Sequence, residues 1–154
     1  MPSLPSSDAG LDERLRLIVS SYQRLTGKPL LDNVPADSAA LSDAVWNAPR
    51  AIVAHGTEAD PVFFYGNRLA LKFFEMSFDE FTRLPSRFSA EPLAREERAK
   101  LLERVTRQGY ADNYSGMRIA SSGKRFMIAD GTVWNLVDEQ GNHHGQAAVF
   151  VGQK

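Results

Sequence analysis

The chain contains no cysteine among its 154 residues. Disulfide bonds, thiolate nucleophiles and cysteine-ligated zinc or iron–sulfur clusters are therefore excluded, and the composition fits a reducing compartment. An excess of charge of one sign is also missing, since 18 Lys and Arg are balanced by 19 Asp and Glu. Nucleic acids and anionic membranes attract basic proteins, so this balance favours neither as a partner.

Long apolar runs and a targeting segment are missing too. The first ten residues, MPSLPSSDAG, have neither the basic start nor the apolar stretch of a secretory signal. No apolar run approaches the roughly 20 residues that cross a bilayer. We therefore expect a cytoplasmic protein without a membrane span. Its 43% hydrophobic and 24% charged residues are ordinary for a globular protein, and its length predicts one domain.

An apolar stripe at helical spacing follows these residues. The pattern predicts a helix that ends at Gly27 and Pro29, with one apolar face formed by Leu11, Leu15, Ile18, Tyr22 and Leu25. Two interpretations of this stripe stay open. It either docks on the core of the same domain or pairs with another chain as a dimer contact. Because two heptads are too few for a stable coiled coil, a dimer would need further contacts from the domain.

The remaining pattern alternates strands and short helices. It predicts helices at 37–46, 68–74, 77–83 and 92–108, and strands at 51–54, 62–65, 113–120, 124–137 and 143–151. The last three strands have connections too short for parallel crossovers, so we expect an antiparallel sheet with the helices on one face. Two strands, a helical insert and three further strands form the order of a PAS domain.

Local signals set several of these boundaries. Asn67 is suited to cap the helix that follows it, and Ser77 with Glu80 matches a capping box. The dipeptide Asp130-Gly131 interrupts the long fourth strand. We favour a bulge there over a tight turn, since a turn would leave two very short strands.

Three stretches of the chain carry a more specific resemblance. They are HGTEADPVFFYGNRLALKFFE at 55–75, SFDE and PSR within 77–87, and YSGMRIASSGKRF and TVWNLVD within 114–138, followed by GQA at 145–147. This pattern resembles the MEKHLA family, a PAS-related domain. MEKHLA domains occur at the C-terminus of plant class III homeodomain–leucine-zipper proteins and as stand-alone bacterial proteins, and the chain is similar to the stand-alone type.

The resemblance implies an α+β, PAS-like fold: a five-stranded antiparallel sheet with short helices on one face and an N-terminal helical extension. We accordingly predict a disordered tail at 1–10, the helical extension at 11–35 and a PAS-like MEKHLA domain at 36–154. The resemblance also implies a sensory or regulatory role, through a small ligand or an altered dimer. Because the sequence carries no homeodomain, zipper or effector domain, we expect its output to pass through self-association or a separate effector protein.

The cofactors of the wider PAS superfamily can be compared with these residues. Flavin photosensors that form a thiol adduct, and chromophores tethered through cysteine, both need a residue that the chain lacks. Haem-binding PAS domains use a histidine on the long helix, and 92–108 contains none. A non-covalent flavin or an apolar metabolite stays open, so the identity of any cofactor is unknown.

A ligand pocket in such a fold would lie between the inner face of the sheet and the short helices. The candidate pocket residues are mostly apolar, with three polar handles: Phe64, Phe73, Met76, Phe81, Phe88, Met117, Ile119, Met127 and Trp134, and the polar Asn67, Tyr114 and Asn135. Nine Phe would equally fill a dense core. A shift of one residue in strand phase would also exchange the two faces, and Trp134 and Asn135 cannot both point inward.

The histidines give a weaker signal. His143 and His144 are adjacent in a predicted strand, so their side chains fall on opposite faces. A metal site that joined them to His55 and Asp60 is conceivable. We favour the interpretation that these histidines are solvent-exposed turn residues, and we expect no metal site.

Three hypotheses for the function follow. The first is a sensory module that binds a small apolar or aromatic ligand and signals through the N-terminal helix, and the second is a ligand-free interaction domain, usually a homodimer. The third is a cone-fold isomerase or hydrolase that uses Tyr65, Asp130 or Tyr114 as acid and base in an apolar cavity. Ser121-Ser122 joins two strands and is no nucleophile elbow, so we expect no enzyme.

Overall fold

The computed structural model describes residues 9–31, 35, 37–89 and 95–153 of the chain. Its helices and strands are α1 (Ala9–Thr26), α2 (Ser38–Trp46), β1 (Ala51–His55), β2 (Phe63–Gly66), α3 (Arg68–Phe74), α4 (Phe78–Phe81), α5 (Arg95–Gln108), β3 (Tyr110–Ile119), β4 (Arg125–Val137) and β5 (His143–Gln153). A 3₁₀ turn, Ser86–Ser89, follows α4. Helix α1 begins inside the tail predicted at 1–10. The predictions for residues 1–8 and for the helix start at 92–94 lie outside the described residues.

The strands form one five-stranded antiparallel sheet, as predicted, and their order in the sheet is β2-β1-β5-β4-β3. Strand β1 pairs with both β2 and β5, which joins the first two strands to the last three. Strand β3 starts at Tyr110 rather than at the predicted Asn113. Asn113 has a positive φ of 54° and interrupts the pairing with β4 without ending the strand.

The predicted starts of α3 and α4 and the predicted end of α1 are confirmed by their caps, whereas α4 ends at Phe81 rather than at the predicted residue 83. The Asn67 side chain accepts a hydrogen bond from the amide of Ala70, at 3.1 Å, in the first turn of α3. Ser77 and Glu80 form both bonds of the capping box at the start of α4. Gly27, with a φ of 73°, follows the last residue of α1. None of the described helices is both long and apolar enough to cross a membrane.

The apolar stripe of α1 is part of the core of the chain. Leu15, Ile18 and Tyr22 are buried, and Leu11 and Leu25 are partly buried against the same cluster. The interpretation that the stripe docks on its own domain is confirmed. The alternative dimer contact is wrong, because these side chains already face the sheet of their own chain.

Polar bonds fix α1 to the second half of β4. The Trp134 indole Nε1 donates to the carbonyl of Ile18 at 3.3 Å. The Ser21 hydroxyl donates to the carbonyl of Val137 and accepts from its amide, both at 3.0 Å. Arg24 donates to the same carbonyl at 2.7 Å. The helix is therefore tied to the backbone of the sheet as well as to its side chains.

Strand β4 contains the predicted bulge. Ala129 lies opposite Val151 and Thr132 lies opposite Val149, so β4 takes three steps where β5 takes two. The inserted Asp130 has a φ of 51°. Because side chains alternate along a strand, one extra residue exchanges the faces of the residues before and after it.

The two halves of β4 consequently contact different helices. Before the bulge, the Phe126 ring packs against Phe73 and Phe74 of α3, with centroid separations of 5.6 and 5.0 Å. After the bulge, Trp134 contacts α1, where the Tyr22 ring lies 4.9 Å away. We call the side of Phe126 the inner face and the side of Trp134 the outer face. Helix α3 lies on the inner face and α1 on the outer face.

Candidate functional site

Two of the predicted pocket residues lie on the outer face. The Arg14 guanidinium of α1 lies over the Phe64 ring, 4.6 Å from its centroid, and Trp134 is bonded to α1. Both assignments to a pocket on the inner face are therefore wrong. The physical reason is strand phase. Alternation puts Phe64 on the side opposite Phe63 and Tyr65, and the bulge of β4 puts Trp134 on the side opposite Phe126.

Three more candidates share the outer side of the β3–β4 hairpin. Met117 lies opposite Met127, next to the inner-face pair of Arg118 and Phe126, and so points to the opposite face together with Ile119. Met127 is 37% exposed. Their assignment to the pocket is wrong, because the strand phase of the hairpin is one residue away from the predicted phase and these side chains therefore lie on the opposite face.

Asn67 is a structural residue rather than a handle for a ligand. Its side chain is fully buried and makes four hydrogen bonds. Oδ1 accepts from the amides of Ile52 and Ala70 at 3.0 and 3.1 Å. Nδ2 donates to the carbonyls of Val45 and Arg50 at 3.1 and 2.9 Å. Both donors and both acceptor positions of the amide are occupied, so none is left for a ligand.

Three further candidates are dispersed. Phe81 is buried and stacks on Phe63, with ring centroids 4.2 Å apart, as part of the core. Met76 lines an open cleft of about 700 Å³ between α2 and α3. Phe88 is 53% exposed on the 3₁₀ turn. These three side chains do not converge on one enclosed site.

The Asn135 amide joins neighbouring elements on the inner face. Its Nδ2 donates to the Val105 carbonyl of α5 at 3.4 Å. Its Oδ1 accepts from Gln146 Nε2 at 3.2 Å, and the His143 ring nitrogen lies 3.3 Å from the same oxygen. Asn135 thus lies on the predicted face, where its contacts hold α5 and β5 to β4.

The structure brings two predicted residues together with two that the sequence analysis missed. Arg118 lies directly opposite Phe126 in the register of β3 and β4. Arg118 Nη2 donates to the Tyr114 hydroxyl at 3.1 Å. Phe126 stacks on Phe73 with the ring planes inclined by 20°. We call Phe73, Tyr114, Arg118 and Phe126 the inner-face cluster.

A glycine makes room for the polar half of this cluster. Tyr114, Gly116 and Arg118 occupy every second position of β3 and therefore lie on the same side of the strand. A Cβ at Gly116 would lie 3.1 Å from the Tyr114 hydroxyl oxygen and 3.8 Å from Arg118 Nη1. The sequence signal that could have found Arg118 is a lone cation between Met117 and Ile119 in a predicted strand.

Arg118 is partly buried and, within the described residues, forms no ion pair. Its second hydrogen bond runs from Nη1 to the carbonyl of Met117 at 3.2 Å. Both of its acceptors are therefore neutral. Arg104 of α5 differs, since it pairs with the Asp112 carboxylate at 2.6 Å. A guanidinium stays charged at any ordinary pH, so the inner-face cluster holds a positive charge that no carboxylate of the described residues pairs with.

In the part of the chain that the structure describes, the tyrosines proposed as acid or base have no carboxylate partner. Tyr65 is 1% exposed, and its hydroxyl has no hydrogen-bond partner among the described residues. Burial raises the pKa of Tyr65 above its ordinary value. The Tyr114 hydroxyl is bonded to Arg118, and Asp130 is exposed at the bulge. No Tyr–Asp pair of the kind that the isomerase hypothesis needs is formed by these residues.

Of the two adjacent histidines, His144 contacts a turn residue, and His143 lies near Asn135 of β4. His144 Nε2 lies 2.9 Å from Asp138 Oδ2, and the Asn142 amide donates to the same carboxylate at 2.9 Å. The His144 contact, followed by the Asn142 amide, lowers the pKa of Asp138 to about 2. Among the residues described, no three His, Asp or Glu side chains are grouped so as to hold a metal ion.

Solved structures with this fold define the class of protein. The PAS domain of a Colwellia psychrerythraea protein superposes with a TM-score of 0.63 at 14% identity, covering 75% of this chain and 95% of its own. An RNA-binding light-oxygen-voltage receptor gives a TM-score of 0.66 at 16% identity, over 80% of this chain and 36% of the receptor chain. The fold is that of a PAS-like domain.

The sequence places the chain more narrowly. A family model described as the MEKHLA domain matches residues 12–153, and the chain belongs to this family. The matched range includes α1, whereas we predicted that the family domain starts at residue 36.

Relatives with curated descriptions carry the same domain. Homeobox-leucine zipper protein ATHB-9 of Arabidopsis thaliana is 26% identical over 152 residues, 96% of this chain and 18% of the relative. Homeobox-leucine zipper protein HOX9 of Oryza sativa subsp. indica is 25% identical over 136 residues, 88% of this chain and 16% of the relative. The chain thus spans less than a fifth of the length of these two proteins.

Proposed function

We propose that the chain is a sensory module that binds a small ligand at the inner-face cluster and transmits its presence to α1. The observation that carries the proposal is the partly buried Arg118–Tyr114 pair beside the stacked rings of Phe73 and Phe126. Small-molecule sites combine apolar and aromatic walls with a few polar groups that fix orientation. The inner-face cluster supplies both, on the face that carries α3.

Strand β4 offers a physical route from this site to α1. Phe126 belongs to the cluster, and Trp134 on the same strand bonds to Ile18 on the outer face. The bulge between them lets one continuous strand contact the ligand side with one half and α1 with the other. A ligand that moves the first half of β4 would change how firmly α1 is held.

Native mass spectrometry of freshly purified protein tests the binding half of the proposal. The denatured chain should weigh 17.1 kDa, and we expect the native protein to carry an added mass that disappears on denaturation. Removing that ligand should then increase amide hydrogen exchange in α1, while α2 serves as the internal control. A ligand whose removal leaves exchange in α1 unchanged would contradict the transmission step.

A second candidate function is a ligand-free interaction domain that forms homodimers. It is favoured by apolar exposure on the outer face, where Met127 is 37% and Val151 44% exposed. Contiguous exposed apolar surface of this kind marks contact sites. Light scattering of Met127→Lys with Val151→Lys tests it, since a wild-type dimer should become a folded monomer. A wild-type monomer at high concentration would contradict this candidate.

A further inference from the structure

The positive charge of Arg118 identifies a chemical group that the inner-face cluster can recognise. Within the described residues its donors reach two neutral oxygens, the Tyr114 hydroxyl at 3.1 Å and the Met117 carbonyl at 3.2 Å. A guanidinium has five N–H donors, so donors are left over. Partial burial of a charge without an opposite charge is unfavourable, and an anion would remove that cost.

The Tyr114 hydroxyl adds a second donor of the same kind. Its oxygen already accepts a hydrogen bond from Arg118 Nη2. The hydroxyl hydrogen of Tyr114 is therefore directed elsewhere and can be donated. An Arg N–H group and a Tyr O–H group together favour a planar anion such as a carboxylate, which accepts several hydrogen bonds at once.

The aromatic half of the cluster sets the body to which this anion is attached. Phe126 lies directly across from Arg118 and stacks on Phe73, with centroids 5.6 Å apart and planes inclined by 20°. Phe126 is buried, whereas Phe73 is only partly buried and leaves part of its ring for contact with a flat ligand. Because Gly116 has no side chain, the Tyr114 hydroxyl and the Arg118 guanidinium have room to meet above the strand between them.

We propose that the ligand is an aromatic carboxylate whose carboxylate group is bound by Arg118 and Tyr114 and whose ring packs against Phe73, the partly buried member of the stacked pair. This inference rests on the proposed function, because it assigns a chemical class to the ligand of the same site. It differs from the apolar metabolite expected from the sequence by requiring a negative charge.

Two probes with the same ring system test the charge requirement. We would measure the binding of 1-naphthoate and of the neutral 1-naphthamide by isothermal titration calorimetry. The wild-type protein should bind 1-naphthoate about tenfold more tightly or better, as expected for a charge-assisted pair. This comparison uses the unaltered chain and therefore does not depend on how a variant folds.

Substitution of the cation locates the effect. Arg118→Gln should weaken 1-naphthoate about tenfold and change 1-naphthamide by about twofold at most. Arg125→Gln is the matched control, because Arg125 lies on the same hairpin one register position away and on the opposite face. It should change neither affinity. Thermal denaturation of both variants confirms that each is folded before binding is measured.

The outcomes separate this inference from the proposed function. Equal binding of the two probes, unaffected by Arg118→Gln, would overturn the anionic ligand and leave a ligand-binding site in place. Equal losses in Arg118→Gln and Arg125→Gln would also overturn it, since the effect would then be general electrostatics. A neutral co-purifying ligand would do the same. If neither probe binds and no ligand co-purifies, both the inference and the proposed function fail.

Discussion

The indole nitrogen of Trp134 donates a hydrogen bond to the backbone carbonyl of Ile18, 3.3 Å away, although the two residues are 116 positions apart. Both side chains are completely buried. An indole N–H inside a protein needs an acceptor, and a helix interior rarely offers one of its carbonyls to a distant strand. The contact therefore makes α1 an integral layer of the domain rather than an extension beside it.

This burial predicts how charged substitutions in the α1 stripe behave. Leu15→Glu combined with Ile18→Glu should unfold the protein, because each would place an unpaired charge in the core at a cost of about 3–5 kcal/mol. Circular dichroism and urea denaturation provide the measurement. Gln23→Glu is the control, since it introduces the same residue on an exposed site of the same helix. A folded, monomeric double variant of a dimeric wild type would restore the stripe as a dimer contact.

Asn67 predicts a second large effect on stability. Asn67→Ala should lower the free energy of unfolding by about 2–4 kcal/mol, because it leaves buried backbone groups of four other residues without their partner. The measurement is chemical denaturation at equilibrium. Asn47→Ala removes an amide from an exposed position at the end of α2 and should cost much less. Similar losses for the two variants would contradict the central role of Asn67.

The elements of the fold were readable from the sequence because their signals are local. The Asn67 cap, the Ser77–Glu80 capping box and the bulge at Asp130 each depend on a few adjacent residues, and each is confirmed. Helical spacing also showed that one face of α1 is apolar. It could not show whether that face packs against the same chain or another one. An apolar stripe indicates that a helix face is buried, but it does not indicate which chain covers that face.

The candidate site was less predictable, because it depends on which face each strand presents. The inserted residue in β4 puts Trp134 on the face opposite Phe126, and alternation puts Phe64 on the face opposite Phe63 and Tyr65. The sequence predicted the bulge but not which half of the strand faces inward. The predicted pocket residues are apolar, aromatic or amide side chains, and Arg118 is not among them. Its neighbours on both sides are apolar, and only the observed register places it opposite Phe126.

The buried hydroxyl of Tyr65 leads us to expect that its removal does not lower the stability of the protein. The hydroxyl is buried without a hydrogen-bond partner among the described residues, which costs about 1–3 kcal/mol. Tyr65→Phe keeps the ring and its edge contact with Phe78, where the centroids are 5.9 Å apart, and removes only the unpaired group. We expect unchanged or increased stability in urea denaturation. A clear loss of stability would mean that the hydroxyl has a partner, such as a bound water molecule.

Asp138 predicts a defined response to acid. Its pKa is about 2 in the folded chain, below the ordinary 3.8, chiefly because of the contact with His144. The folded state therefore favours the ionised carboxylate, and the stabilisation that this provides is present above pH 3.8 and disappears as the pH falls towards 2. The measurement is the urea midpoint of wild type and Asp138→Asn as a function of pH.

The wild-type advantage over Asp138→Asn should be constant above this window and shrink through it. His144→Gln is the matched partner variant, since it removes the largest cause of the lowered pKa while keeping Asp138 itself. In that variant the loss of stability should start at the same pH, be smaller and end at a higher pH than in wild type, because the folded-state pKa lies closer to 3.8 while the unfolded-state pKa is unchanged. Parallel pH profiles for all three proteins would show that the Asp138–His144 contact, although only 2.9 Å long, contributes no pH-dependent stability in the folded chain.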